Sequence, residues 1–194
     1  MLLQAIFVSF LFIGSDVGDV TLGANQGLLK VLQITAYALD GFAFAAEALV
    51  ARAMGMGRLD RLRRGAWLTS LWGIGWVCVL AVAFATFGGT IIDVMTTAEP
   101  VRAAARDYLP WMVAAPLAGV AAWMLDGIFI GATRSRDMAV MMAASAAIYA
   151  AAVAVLVPVF GNHGLWAALL VSFLARGATL GLRYPALERA VAAG

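Results

Sequence analysis

Six long apolar runs follow one another along the chain, and they point to a membrane-spanning helical fold. A helix needs roughly 20 mostly apolar residues to cross a hydrocarbon core about 30 Å thick. The runs fall at about 2–22, 27–51, 65–87, 109–133, 138–160 and 164–184. They are too long and too little alternating for barrel strands, so the spacing predicts six transmembrane α-helices that close their backbone hydrogen bonds internally. Their richness in Ala, Gly and Leu lets such helices approach closely. Composition agrees: of 194 residues, 64% are hydrophobic and 12% are charged, with a mean hydropathy of +0.94. A soluble domain carries about 25% charged residues. This argues against a soluble enzyme, a nucleic-acid binder or a disulfide scaffold. Cys78 is the one cysteine and His163 the one histidine, which also disfavours a histidine metal cluster or a Ser-His-Asp triad.

The loops predict an orientation. Arg52, Arg58, Arg61, Arg63 and Arg64 separate runs two and three, Arg134 and Arg136 separate runs four and five, and Arg176, Arg183 and Arg189 close the last run. Ten of the thirteen basic residues thus fall on alternate connections, as expected of cytoplasmic loops. The opposite connections are poor in basic residues. They comprise a turn at Gly23–Gln26, a turn at Gly161–Gly164, and a long loop in which Asp93, Glu99 and Asp107 offset Arg102 and Arg106. Both termini are expected to be cytoplasmic. Met1 leads straight into apolar sequence with no basic flank, so no signal peptide is read there and the first helix is expected to be clipped. Within the long outer loop, Thr97–Pro100 reads as a helix start. Residues 97–108 are expected either as a short amphipathic surface helix or as an extension of helix four.

Ionisable groups inside a membrane are expensive and mark function more often than not. In helix two, Gln33, Tyr37, Asp40, Phe44 and Glu47 share one face by their spacing. Asp40 lies thirteen residues past Gly27, ~20 Å along the helix and close to mid-membrane. Helix four carries Asp126, ~12 Å above the Arg134 loop. The tripeptides Leu39-Asp40-Gly41 and Leu125-Asp126-Gly127 match, and both helices run the same way, so two parallel helices offer aspartates at similar depth. Asp40, Glu47, Asp126, Gln33 and Tyr37 are the candidate substrate or ion-binding residues. The competing structural readings are helix-linking hydrogen bonds for Asp40, an ion pair with Arg52 for Glu47, and one with Arg134 or Arg136 for Asp126. Pro110 and Pro116 are candidate hinges in helix four, since an internal proline removes a ladder hydrogen bond. Asp16 and Asp19 are expected to be solvated and His163 to be an exposed loop residue. Trp111 and Trp166 are expected near the outer interface, Trp67 near the inner one, and Trp72, Trp76 and Trp123 deeper.

The stretch Tyr37–Val50 (YALDGFAFAAEALV), closing at Gly55, resembles the second helix of the C-terminal lobe of multidrug and toxic compound extrusion (MATE) transporters, in the branch named for DNA-damage-inducible protein F. Three further segments agree in order and spacing, Ala24-Asn25-Gln26, Glu99–Leu109 and Leu125–Asp137 (LDGIFIGATRSRD), and the ending, Gly164–Trp166 through Leu174–Gly177, is also similar. The resemblance implies an all-α membrane protein with twelve helices in two six-helix lobes around a central cavity, worked by alternating access. It implies export of amphipathic organic cations in exchange for H+ or Na+. Residues 1–194 correspond to one lobe, so the partners implied are the lipid bilayer, the missing N-terminal lobe or a second copy, and the cationic small molecules. No cofactor beyond the coupling ion and no nucleic acid is implied, and the location is the inner (plasma) membrane of a bacterium. Much of the family couples through a carboxylate in the absent lobe. Sodium-linked members use carboxylates in this one, and Asp126 lies on the matching helix about one turn from that position. The other readings are a non-transporting membrane fragment, a half-size homodimeric transporter, and an intramembrane aspartyl protease, whose Tyr-Asp and Gly-x-Gly-Asp patterns are absent from this sequence. The chain is not expected to be an enzyme.

Overall fold

The computed structural model describes residues 2–15 and 17–192, and their regular structure is α-helical throughout. The helices are α1 (Leu2–Ser15), α2 (Asp19–Gly55), α3 (Leu59–Met95), α4 (Glu99–Gly131) and α5 (Ser135–Ala192). Four of them, α2 to α5, are long and apolar enough to cross a membrane, and α1 is a shorter apolar helix. At 37 residues, α2 and α3 each run ~55 Å, well beyond a 30 Å hydrocarbon core.

Several boundaries differ from the expected ones. The first reversal is at Gly18, not at Gly23–Gln26: Gly18 has φ 126° and ψ 157°, a conformation open to glycine and strained for any side chain. Asp19 starts α2 and is exposed, while Asp16 lies outside the described residues. The Gly-Ala-Asn-Gln-Gly stretch looks like a turn by composition, but it is helical. Gly23 faces Val101 and Gly27 faces Met95, each 3.5 Å from where a Cβ would sit, so these glycines serve helix packing. Asn25 is fully buried and still satisfied. Its Nδ2 donates to Asn162 Oδ1 (2.7 Å), and its Oδ1 accepts from Asn162 Nδ2 (3.0 Å) and Trp166 Nε1 (3.0 Å). Trp166 is therefore a core residue rather than an interface marker.

Residues 97–108 form no separate surface helix. α4 begins at Glu99, with Pro100 in its first turn, and continues to Gly131. Arg102 donates to the Thr96 and Asp93 carbonyls (2.7 and 2.8 Å) and Arg106 to the Asp93 carboxylate (2.5 Å), pinning the end of α3 to the start of α4. The α4 backbone stays helical through Pro110, which is exposed, and Pro116, which is buried.

α2 and α4 end alike. Arg58 N–H bonds Ala53 O and Gly57 N–H bonds Met54 O. Arg134 N–H bonds Phe129 O and Thr133 N–H bonds Ile130 O. Both are Schellman closures, with Gly57 (φ 60°) and Thr133 (φ 56°) in the left-handed position. A β-branched residue there is strained, and the two hydrogen bonds hold it.

Runs five and six belong to one 58-residue element broken at Gly161 (φ 56°, ψ −131°). The break reverses the chain, since Arg183 of the second limb lies 3.8 Å from Asp137 of the first. Gly164 packs on the backbone of Leu156, where a Cβ would not fit. The buried side chains form two clusters. One holds Phe10, Leu39, Trp123, Trp166 and Phe173. The other holds Ala46, Val50, Ile128, Phe129, Leu180 and Leu187. Between them, on α2, α4 and the second limb of α5, fall Asp40, Asp126 and Arg176.

Candidate functional site

Two glycines place the walls of the site. Gly127 lies against the backbone of Ala43 and Gly131 against that of Glu47, both too close for a Cβ. The contacts advance four residues at a time on each helix, so α2 and α4 run parallel at backbone contact, as a small-xxx-small stripe allows. Asp126 is then level with Phe42, two residues or ~3 Å from the level of Asp40. The two aspartates do lie at similar depth on parallel helices. A third close approach, Gly177 with its Cβ position 3.2 Å from the Ala121 Cβ, brings the second limb of α5 onto α4.

Between these walls lies a cavity of about 280 Å³. All five candidate residues line it: Gln33, Tyr37, Asp40, Glu47 and Asp126. Phe7, Phe44, Trp123, Gly127 and Arg176 also border it. The face read from helix two is real, but it is not enclosed by this chain. Tyr37 is 71% and Phe44 65% exposed; Asp40 between them and Glu47, three residues past Phe44, are half-buried. The cavity opens at the edge of the bundle. Among the described residues no ion pair holds Asp40 or Glu47, so the expected link from Glu47 to Arg52 does not form.

Asp126 differs. Arg176 Nη2 is paired with its Oδ2, and both side chains are largely buried, at 6% and 14% exposure. By its place in the sequence Arg176 groups with the inner-surface arginines. It is instead the one charged residue among the buried described residues. The expected partner Arg134 turns to Asp137 instead (3.2 Å). Placing a guanidinium here is favourable only because a carboxylate meets it, since desolvation costs several kcal/mol per ion. The pair is incompletely satisfied: Asp126 Oδ1 and Arg176 Nε are buried without hydrogen-bond partners. Sequence reasoning misses Arg176 because it stands near a run of arginines that reach the surface. The signal that could have found it is its place twelve residues after Gly164, still within the sixth apolar run.

Chemically, two accessible carboxylates beside exposed aromatic rings suit a cation with apolar surface, through charge and cation–π attraction. The other singled-out residues lie elsewhere. His163 is exposed as expected, and its Nδ1 accepts from Trp111 Nε1 (2.9 Å) while its ring lies 4.9 Å from that of Tyr108. Trp67, Trp72 and Trp76 are exposed on α3, and Trp123 is buried at the cavity. At the arginine-rich end of the bundle, two hydrogen bonds from Arg58 lower the Asp60 carboxyl to about 2. Arg63 likewise holds Glu188 below the usual carboxylate range.

Four helices long and apolar enough to cross a membrane, with carboxylates at a cavity on the bundle edge, point to a multi-pass membrane protein. The MatE family model matches residues 1–156, and the chain belongs to the MatE family. It is 38% identical over 186 residues to DNA damage-inducible protein F of Escherichia coli (strain K12), a match that takes in 93% of this chain and 39% of that protein. The chain thus spans about two-fifths of the length of this relative. No solved structure matches.

Proposed function

We propose that this chain forms the C-terminal lobe of a multidrug efflux antiporter, exchanging amphipathic organic cations for H+ or Na+ by alternating access in a bacterial inner membrane. The observation that carries this reading is the cavity lined by Gln33, Tyr37, Asp40, Glu47 and Asp126 and open at the bundle edge. An exposed Tyr37–Phe44 face is poorly suited to lipid beside two carboxylates, and it suits an opposing lobe across a shared cavity. The partial coverage of the E. coli relative supports such a lobe. Counting the limbs of α5 separately, the described residues make six helical segments, which supports a six-helix lobe, and the clustering of arginines at one end supports cytoplasmic termini. In this reading Asp40 and Glu47 receive the substrate or coupling ion. Protonation or ion binding changes the cost of burying them and so biases one state over the other. Pro116, buried within the α4 packing, is the pivot, with exposed Pro110 a lesser one. The reading assigns no enzymatic step.

The test is drug export by the complete transporter carrying Asp40→Asn. Export should be abolished while membrane expression stays normal. Unchanged export would remove Asp40 from the mechanism.

A further inference from the structure

We propose that Arg176 is a specificity-determining residue of this cavity: a resident cation that occupies Asp126, and that an incoming organic cation must displace or do without. The inference rests on the cation-cavity reading above and adds to it a competitor built into the chain. A pair whose role was only to tie α5 to α4 would be expected to saturate its hydrogen bonds, as a bidentate guanidinium–carboxylate fork does. Here one nitrogen meets one oxygen, while Asp126 Oδ1 and Arg176 Nε, both buried, have no partner. Both residues border the cavity. The ion pair therefore stands in the wall of a space that a ligand can enter.

The charge pattern follows. Three carboxylates line the cavity, and without Arg176 none of them would be paired there. Arg176 cancels the innermost of them and leaves the half-exposed Asp40 and Glu47, on the α2 wall, as the net attraction. A cation approaching from the open edge meets that wall, with Tyr37 and Phe44 beside it, before it reaches Asp126. The resident guanidinium thus sets a ceiling on affinity for cations, which favours their release. Its position depends on Gly177, whose close approach to Ala121 and Ala122 holds the second limb of α5 against α4.

The experiment is calorimetric titration of tetraphenylphosphonium, a permanent apolar monocation, into the complete protein in lipid nanodiscs. Arg176→Gln should bind it about tenfold more tightly than wild type, because a unit charge a few ångströms away is removed in a partly buried site. Asp126→Asn, which leaves the guanidinium uncancelled, should bind about tenfold more weakly. The double variant should fall between the two, and Arg176→Lys, which retains a cation, should lose the gain. A purely structural tie would not order the four variants by charge. Arg176→Gln binding no more tightly than wild type overturns the inference. If that variant fails to fold, Asp126→Asn is compared with the double variant, and equal affinities overturn it. If wild type itself does not bind tetraphenylphosphonium, the cation-cavity reading fails and this inference falls with it.

Discussion

Leu39-Asp40-Gly41 and Leu125-Asp126-Gly127 place the same three residues at nearly the same depth on two parallel helices, and the bundle treats them oppositely. Asp40 stands half-buried at an open edge with no ion pair among the described residues, and its Gly41 has nothing within 4 Å of a Cβ position. Asp126 has its side chain largely covered by Arg176, and its Gly127 sits on the backbone of Ala43. What separates the two is the presence of neighbours. α4 lies between α2 and the second limb of α5, so its Asp-Gly pair contacts both. The Asp-Gly pair of α2 faces out of the chain. The lesson is that one short motif can serve as a tie and as an open receptor, depending on how many helices surround it.

The sharpest way to break this contrast is to remove the partner of the buried aspartate. Arg176→Leu should destabilise the detergent-solubilised complete protein by about 3–5 kcal/mol, because Asp126 is left as an uncompensated buried charge. Asp40→Asn should leave the thermal unfolding midpoint where it was. Equal losses from the two variants would mean that the aspartates are not in different environments. Next in size come the two glycines. Gly127→Ala should cost about 1–3 kcal/mol, since its Cβ would collide with the Ala43 carbonyl and force α2 and α4 apart. Gly41→Ala should be neutral or stabilising by up to about 1 kcal/mol, as expected of an unobstructed helical glycine. The same thermal scan reads both.

The smallest effect lies at the exposed Arg58–Asp60 pair. The Asp60 carboxyl is lowered from 3.8 to about 2 by hydrogen bonds from Arg58. Its contribution is therefore fully present above the unfolded value of 3.8 and is lost as pH falls through about 2. Both side chains are more than half exposed, so solvent screens the pair. Asp60→Asn should leave the midpoint at neutral pH unchanged. A clear drop would show that this turn bears on the bundle as Arg176 does.

Much of the candidate site is legible in the amino-acid sequence. Heptad-like spacing puts Gln33, Tyr37, Asp40 and Glu47 on one face because helical geometry repeats regardless of what surrounds it. The matched tripeptides set Asp126 at a similar depth for the same reason. Pairing is not legible in this way. Arg134 and Arg136 are near Asp126 in sequence, but Arg176 reaches it through the reversal at Gly161 and the close approach of Gly177. The Asn25 stretch misleads for a related reason. Glycines flanking an asparagine suggest a turn, whereas here the glycines admit neighbouring side chains and Asn25 finds Asn162 and Trp166.

The sequence by itself determined that the chain is a helical membrane protein, which helical faces are polar, and the family it resembles. These follow from local periodicity and from the cost of bare backbone and charge in lipid, which each helix meets alone. Only the tertiary structure decided which carboxylate is neutralised and which stays open, where the chain reverses, and that the polar face borders a cavity at the edge of the bundle. Those outcomes depend on which distant residues come into contact, because burial and ion pairing are properties of neighbours in space.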